Sequence, residues 1–310
     1  MSSVTFHPAA PDEFLPALQL LFGAAAGADR AEQYRSVLAP DNRSPEGLFV
    51  AREGNRLVGA MLAQKLSGAL GITWPPHAPT PEIEDTLITM ATNWLWTSGV
   101  KVCQAFAAEE ELPGLVSLVR HGFRRVTELV FMRRELVPDA PLPEPVHPII
   151  FIPESPPFSK EFRQALLDTH ERSMDCPELN GERTADEVVA AFSDWGSGNE
   201  WYLAVDRDVV LGVVLFAAGT ETNEIELSYL GVVPLFRRCG YGNELLEFAI
   251  AAATLAKMTA LTVSVDARNE PAMALYRKHG FVEIHRQWVF LVQWASPTQS
   301  EVPDNRPAEV

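Results

Sequence analysis

Apolar runs of strand length alternate with longer helix-like runs along this chain, and the same order of runs occurs twice. In the first half, Leu48 to Arg52 and Leu57 to Gln64 read as two strands around the polar turn Glu53-Gly54-Asn55. Gly68 to Trp74 reads as a third strand, Glu82 to Trp96 as a long helix and Val100 to Ala107 as a further strand. The second half has strands Trp201 to Val205 and Val209 to Phe216 around Asp206-Arg207-Asp208, then a strand Ile225 to Val233, a helix Asn243 to Ala256 and a strand Thr259 to Val265. Each half closes a short helix with the same triplet, His121-Gly122-Phe123 and His279-Gly280-Phe281, whose glycine suits a cap after the last turn. Apolar strand-like runs follow, Leu129 to Met132 and Trp288 to Val292.

The spacing supports a true repeat. Pro75 stands opposite Pro234, and the two Gly-Phe pairs keep that offset to within one residue. Between the halves, Pro138 to Pro148 carries too many prolines for a helix or a central strand. The expected organisation is therefore a first domain at 1–137, a proline-rich linker at 138–148, a second domain at 149–295 and a polar, disordered tail at 296–310.

The halves differ most where the third strand runs into the long helix. In the second half this junction reads Arg237-x-x-Gly240-x-Gly242. Two glycines let the backbone approach a bulky anion, and the helix that starts there directs unpaired N–H groups and the positive end of its dipole at the same spot. The aligned first-half residues are Ala78, Pro81 and Ile83, with Pro79 opposite Arg238. Proline lacks an amide donor and Ile83 adds a side chain, so the first half is not expected to cradle a pyrophosphate in this way.

A second signature stands downstream of the loop: Asn269-x-x-Ala272-x-x-x-Tyr276-x-x-x-Gly280-Phe281. With the loop and this element in the right order, the second half resembles the GNAT N-acetyltransferase superfamily, and the first half resembles a degraded copy. The tandem layout is similar to the mycothiol synthase-like members. The resemblance implies an α/β fold of two tandem GNAT-like domains, each a mixed, mostly antiparallel sheet flanked by helices. It also implies transfer of an acetyl group from acetyl-CoA to an amine of a small molecule or peptide, with no metal or redox cofactor. Arg237, Gly240 and Gly242 then fall on the pyrophosphate loop, with Arg238 as a further phosphate contact or a solvated arginine, and Asn243 in the first turn of the helix joins the cofactor-binding set. Backbone groups of Gly231, Val232 and Val233 are expected to pair with the pantetheine arm as an added strand, and the bare Gly231 offers it no obstruction.

Acyl transfer to an amine needs a base for the nucleophile and a proton for the departing thiolate. The resemblance assigns the base to Glu226, six residues before Val232. Strict alternation puts Glu224 on the same face, where a neighbouring carboxylate would raise the proton affinity of one of the two. The alternatives are a solvated face of the strand or Glu224 itself as base. Tyr276 is the implied general acid, sharing a helix side with Ala272, Leu275 and His279, which a core-packing tyrosine would also do. Asn269 either orients the acyl-CoA or simply starts the helix. In the polar run Ser173 to Arg183, Asp175 and Glu178 are candidates to hold the amine by charge, against the plainer reading of a surface turn with Thr184 opening the next helix.

Composition narrows the partners. A net charge of −16 over 310 residues, most of the excess acid lying in the second half, argues against nucleic acid or an anionic membrane surface. No apolar run approaches membrane-spanning length, and the first residues carry no basic segment or apolar core of an export signal. Cys103, Cys176 and Cys239 show no close pairing or metal-type spacing, and His7, His77 and His147 are scattered beside prolines. The expectation is a cytoplasmic protein with reduced thiols. Two rival readings remain open: an acyl-CoA-binding sensor or interaction module without catalysis, and a transferase for a longer acyl chain.

Overall fold

The computed structural model describes residues 3–23, 46–137, 147–179, 183–193, 200–219, 221 and 223–294. The expected linker, save its last two residues, and the expected tail lie outside the described residues, as do Asn180, Gly181 and Glu182 of the expected acceptor loop. The chain forms two compact units that are not its two consecutive halves. One holds residues 1–126 with 288–310, the other residues 127–287.

In the first unit the sheet runs β1 (Val4–Pro8), β2 (Leu48–Glu53), β3 (Arg56–Leu66), β4 (Leu70–Thr73), β5 (Val102–Ala107) and then residues 288–293 of β12 (Val282–Gln293). All neighbours are antiparallel except β4 and β5. Helix α1 (Phe14–Phe22) buries Phe14, Ala17 and Leu18 against Leu48, Val50, Ala60 and Leu62. Helix α2 (Pro81–Thr97) buries Leu87, Ile88, Ala91 and Leu95 against Phe49, Ala51, Met61 and Ala63. Successive residues of β2 and β3 thus serve opposite cores, which is why these strands read as continuous apolar runs. Short helix α3 (Val116–Arg120) ends at the first Gly-Phe pair, with Gly122 at φ +89°.

The second unit repeats the plan with β7 (Ile150–Glu154), β8 (Trp201–Asp206), β9 (Val209–Ala218), β10 (Glu224–Val232), β11 (Ala260–Asp266) and residues 127–135 of β6 (Arg124–Glu135). Only β10 and β11 are parallel. Helices α4 (Lys160–His170) and α5 (Ala185–Ser193) cover one face, where Phe162 and Leu166 meet Trp201, Val213 and Leu215. Helices α6 (Tyr241–Leu255) and α7 (Glu270–Lys278) cover the other, where Leu245, Ala249 and Met273 meet Val214, Phe216 and Leu227. Each unit is the mixed, mostly antiparallel sheet flanked by helices that the sequence implies.

The last strands depart from the expected order. Leu129 to Met132, expected to finish the first domain, pair with β11 in the second unit, Val130 opposite Val265 and Met132 opposite Val263. Trp288 to Val292, expected to finish the second domain, pair with β5, Phe290 opposite Ala105. Both runs are continuously apolar, so their local pattern does not say which core each will join. Val130 and Met132 are fully buried where they lie, a burial worth about 1.5–3 kcal/mol per side chain. Among the described residues no helix is long and apolar enough to cross a membrane.

Candidate active site

Strands β10 and β11 separate soon after they meet. They pair only through Glu224–Glu226 against Ala260–Thr262. A bulge between Leu227 and Tyr229 then shifts the register of β10 on β9, and from there to Val232 the strand keeps β9 as partner while its other edge has no strand partner among the described residues. A cavity of about 350 Å³ fills the opening. It is lined by Ser228 to Val232 on β10, by Ser264 and Val265 on β11, by Ala272, Leu275 and Tyr276 on α7, by Thr169 near the end of α4 and by Asp175 beyond it. The helix side read from the sequence as Ala272, Leu275 and Tyr276 is therefore the side that meets the cavity, whereas His279 Nε2 donates to Asn243 Oδ1 at 2.9 Å.

Below the cavity, the chain leaves β10 and turns into α6 with left-handed backbone at Arg238 (φ +66°) and at the N-cap Gly240 (φ +93°). A Cβ on Gly240 would meet nothing within 4 Å, so the glycine is there for its φ, not for lack of room. Gly242 lines the cavity, as do Arg238 and Asn269, and Arg238 is exposed with no hydrogen-bond partner among the described residues. Asn269 also caps α7, its Oδ1 accepting the Ala272 N–H at 3.3 Å.

Several expected cofactor residues already hold hydrogen bonds within the protein, Arg237 among them while it also lines the cavity. The Arg237 side chain lies on backbone carbonyls, with Nε donating to Val232 (3.0 Å), Nη2 to Thr169 (3.0 Å) and Nη1 to Arg172 (3.3 Å). Thr169 stands in the last turn of α4, where helix carbonyls lack internal partners, and Arg172 just past its end, so Arg237 caps that helix and ties it to β10. The Val233 N–H is already donated to Leu211 at 2.9 Å, and Asn243 joins α6 to α7 by accepting Lys278 Nζ at 2.7 Å. Gly231 lines the cavity, but a Cβ there would stand 2.6 Å from Thr169 Cβ and 2.8 Å from Tyr229 Cε1. Close packing of α4 requires this glycine, rather than clearance for a ligand.

The two carboxylates of β10 part company. Arg133 holds Glu224 Oε1 with Nε at 3.0 Å and Nη2 at 2.8 Å. Glu226 has no such partner, and burial pushes its carboxyl above the usual range. The expected influence of Glu224 is not the cause, because Arg133 neutralises it. Glu226 does not itself line the cavity; Ser228, two residues on and roughly 7 Å along the strand, does. Tyr276 is buried, its ring packed beside Phe281, and it lines the cavity. Burial, with the charges of Asp175 and Tyr229 adding to it, raises its phenol and keeps it protonated at neutral pH. Core packing and cavity lining are both true of this residue.

The expected acceptor loop is clamped at its base. Asp266, wholly buried, accepts from Thr127 Oγ1 (2.6 Å), from the Cys176 N–H (3.0 Å) and from Arg268 Nη2 (2.7 Å). Burial pushes its carboxyl up, but Arg268, Thr127 and the two N–H groups outweigh burial and hold it below its ordinary value. Arg268 in turn grips Glu178 with both terminal nitrogens, at 2.7 and 2.8 Å. Glu178 is thus held at this ion pair and is absent from the cavity lining, whereas Asp175 is part of it. Thr169, Tyr229 and the Asp266–Arg268 clamp had no legible signal in the sequence, since each gains its place only by meeting a distant segment.

The first unit lacks the opening. Its parallel pair joins Leu70–Ile72 to Val102–Gln104, three residues ahead of Pro75, whereas in the second unit the pair ends eight residues ahead of Pro234. The residues of β4 that align with the splayed end of β10 are thus paired to β5. Helix α2 begins with Pro81 and carries Glu82 and Glu84 in its first turn, the wrong charge for a phosphate at a helix N-terminus.

Two sheets of this topology, one opened between its parallel strands above a glycine-bearing turn, define a tandem GNAT-like protein. Residues 163–281 match the sequence profile of the acetyltransferase (GNAT) family. Over 186 residues the chain is 30% identical to a mycothiol acetyltransferase of Geodermatophilus obscurus, an alignment taking in 56% of this chain and 58% of that protein. The chain therefore matches little more than half the length of that relative. A GCN5-related N-acetyltransferase from Sphaerobacter thermophilus superposes with a TM-score of 0.55 at 16% identity, over 94% of this chain and 95% of that one. A tandem GNAT protein from the clavulanic acid biosynthesis pathway does so at 0.53 and 16%, over 96% and 100%. At such identities the likeness is one of fold. Residues 163–281, which lie in the second unit, are thus similar to the GNAT acetyltransferase family.

Proposed function

We propose that the second unit transfers an acetyl group from acetyl-CoA to an amine of a small molecule or peptide, with Glu226 as general base and Tyr276 as general acid. The observation that carries this reading is the unpartnered edge of β10 along the cavity, which offers main-chain groups to an extended pantetheine arm as an added strand would use them. The Val232 N–H is one of those groups, the Val232 carbonyl being taken by Arg237. The pyrophosphate takes the turn at Gly240 and Gly242, the N-terminus of α6 and the free guanidinium of Arg238. Arg237 supports this turn through α4 rather than by touching phosphate. Asn269 sets the start of α7 and so the position of Tyr276.

In the reaction the amine nitrogen bonds to the thioester carbonyl carbon, the C–S bond breaks, and the thiolate takes the proton of the buried Tyr276 phenol. Glu226, raised by burial, accepts a proton from the nitrogen by way of water near Ser228. No step calls for a metal. The first unit keeps the fold without holding a second coenzyme. Three free cysteines suit a reducing compartment such as the cytoplasm. The similarity to a mycothiol acetyltransferase puts amines of the mycothiol class first among acceptors to assay.

The test is acetyl transfer from labelled acetyl-CoA to a panel of amines by wild type, Glu226→Gln and Tyr276→Phe. We expect both variants to lose at least tenfold in kcat while retaining coenzyme A affinity. Unchanged turnover in both would remove the assigned roles. Coenzyme A binding without acetylation of any amine would favour the sensor reading, and faster transfer from a longer acyl-CoA would favour the long-chain one.

A further inference from the structure

We propose that Asp175 is a second catalytic carboxylate of this site: it receives the acceptor as an ammonium ion and takes its first proton. The inference rests on the transferase reading and adds the form in which the acceptor arrives.

Acetylating an ammonium ion removes two protons from one nitrogen, one before attack and one after the C–N bond has formed. A single base would have to discharge between the two events. Of the carboxylates around the opening, Asp175 alone contributes to the cavity lining among the described residues. Its position is fixed from two directions. The Asp175 N–H donates to Ser173 Oγ at 3.1 Å, and Asp175 Oδ1 accepts the Asp266 N–H at 2.8 Å. No other described group hydrogen-bonds this carboxylate, so Oδ2 is left to a ligand.

The groups facing Asp175 make it a proton acceptor. Asp266 stands beside it at the end of β11, with Arg268 against Asp266, Tyr229 on β10, Tyr276 on α7 and Cys176 next in its own loop. Burial raises the carboxyl above its ordinary value; the Asp266 N–H lowers it, the Asp266 charge raises it and Arg268 lowers it again. The proton balance then closes. One proton passes from the ammonium to Asp175 Oδ2, and the freed lone pair attacks the carbonyl carbon. The C–S electrons leave on sulfur, which takes the Tyr276 proton, and the second nitrogen proton leaves towards Glu226. One of the two carboxylic acids restores the phenol through solvent, and the other releases its proton to solvent. A further consequence concerns specificity. An acceptor with a carboxylate beside its amine would bring that charge against Asp175, so an amino amide is preferred to the free amino acid.

The experiment uses the full chain, acetyl-CoA, and the probes L-cysteinamide and L-alaninamide against L-cysteine and L-alanine. We expect wild type to favour the amides by at least tenfold in kcat/KM. In Asp175→Asn the KM for the better amide should rise ten- to hundredfold, with the acetyl-CoA Kd within twofold of wild type. Its kcat/KM should climb with pH towards the amine's own titration, because only the uncharged amine remains productive, and Asp175→Glu should restore part of the activity at neutral pH. An unchanged KM and pH profile in Asp175→Asn overturns the inference while leaving the transferase reading intact. A matching loss of acetyl-CoA affinity overturns it too, since that is the mark of a structural role. Wild type that binds acetyl-CoA yet acetylates none of the four probes overturns the inference, while the broader panel of amines decides the transferase reading.

Discussion

Replacing Arg237 with methionine separates the two roles open to this residue. As a phosphate ligand its loss would weaken coenzyme A binding and make that binding less sensitive to salt. As the cap of α4 its loss would destabilise the fold. The guanidinium makes three hydrogen bonds to carbonyls, two at 3.0 Å and one at 3.3 Å. Hydrogen bonds from a charged donor are worth about 1.5–3 kcal/mol each, but these three share one group and the longest is exposed, so we expect a loss of about 2–4 kcal/mol. A lysine holds its charge at one point and cannot span three carbonyls, so Arg237→Lys should recover less than half. The assay pairs urea unfolding with calorimetric titration of coenzyme A at low and high salt. Arg237→Met should lower stability and leave the salt dependence of binding as in wild type, while Arg238→Met should do the reverse. Stability within about 0.5 kcal/mol of wild type, together with a flattened salt dependence, would refute the capping account.

Glu226→Gln bears on stability as well as on turnover. Burial raises this carboxyl in the folded chain, so between its unfolded and folded pKa values the native state binds more protons and stability falls as pH rises. The glutamine variant should therefore be the more stable protein at pH 8, and its kcat/KM should lose the acid limb due to this group; a variant less stable than wild type at pH 8 counts against it. Gly231→Ala places a methyl group 2.6 Å from Thr169 Cβ, an overpacking that should cost about 1–3 kcal/mol and be relieved by Thr169→Gly in the same chain. Thermal melts of the single and double variants check this, and an unshifted Tm in Gly231→Ala would contradict the packing. Calorimetry should count one acetyl-CoA per chain, because β4 is zipped to β5 where β10 stands open; a count of two would mean the first unit binds by a route its strands do not suggest.

Local spacing in the sequence determined the element types, the duplication, the glycine turn before α6 and the helix side that carries Ala272, Leu275 and Tyr276. These are written in neighbouring residues, because turn chemistry and periodicity act over a few positions. Partners were another matter. Val130 and Met132 pack in the second unit and Phe290 in the first, a choice that the continuously apolar pattern of each run does not express. Glu224 and Glu226 are alike in sequence; only Arg133, reaching Glu224 from 91 positions earlier, makes one an ion pair and leaves the other a buried base candidate. Gly231 is small because of Thr169, and Arg237 is spent on α4 rather than on phosphate, since close packing brings distant backbone to each. Contacts of this kind follow from long-range burial energy, to which the local pattern along a chain is blind.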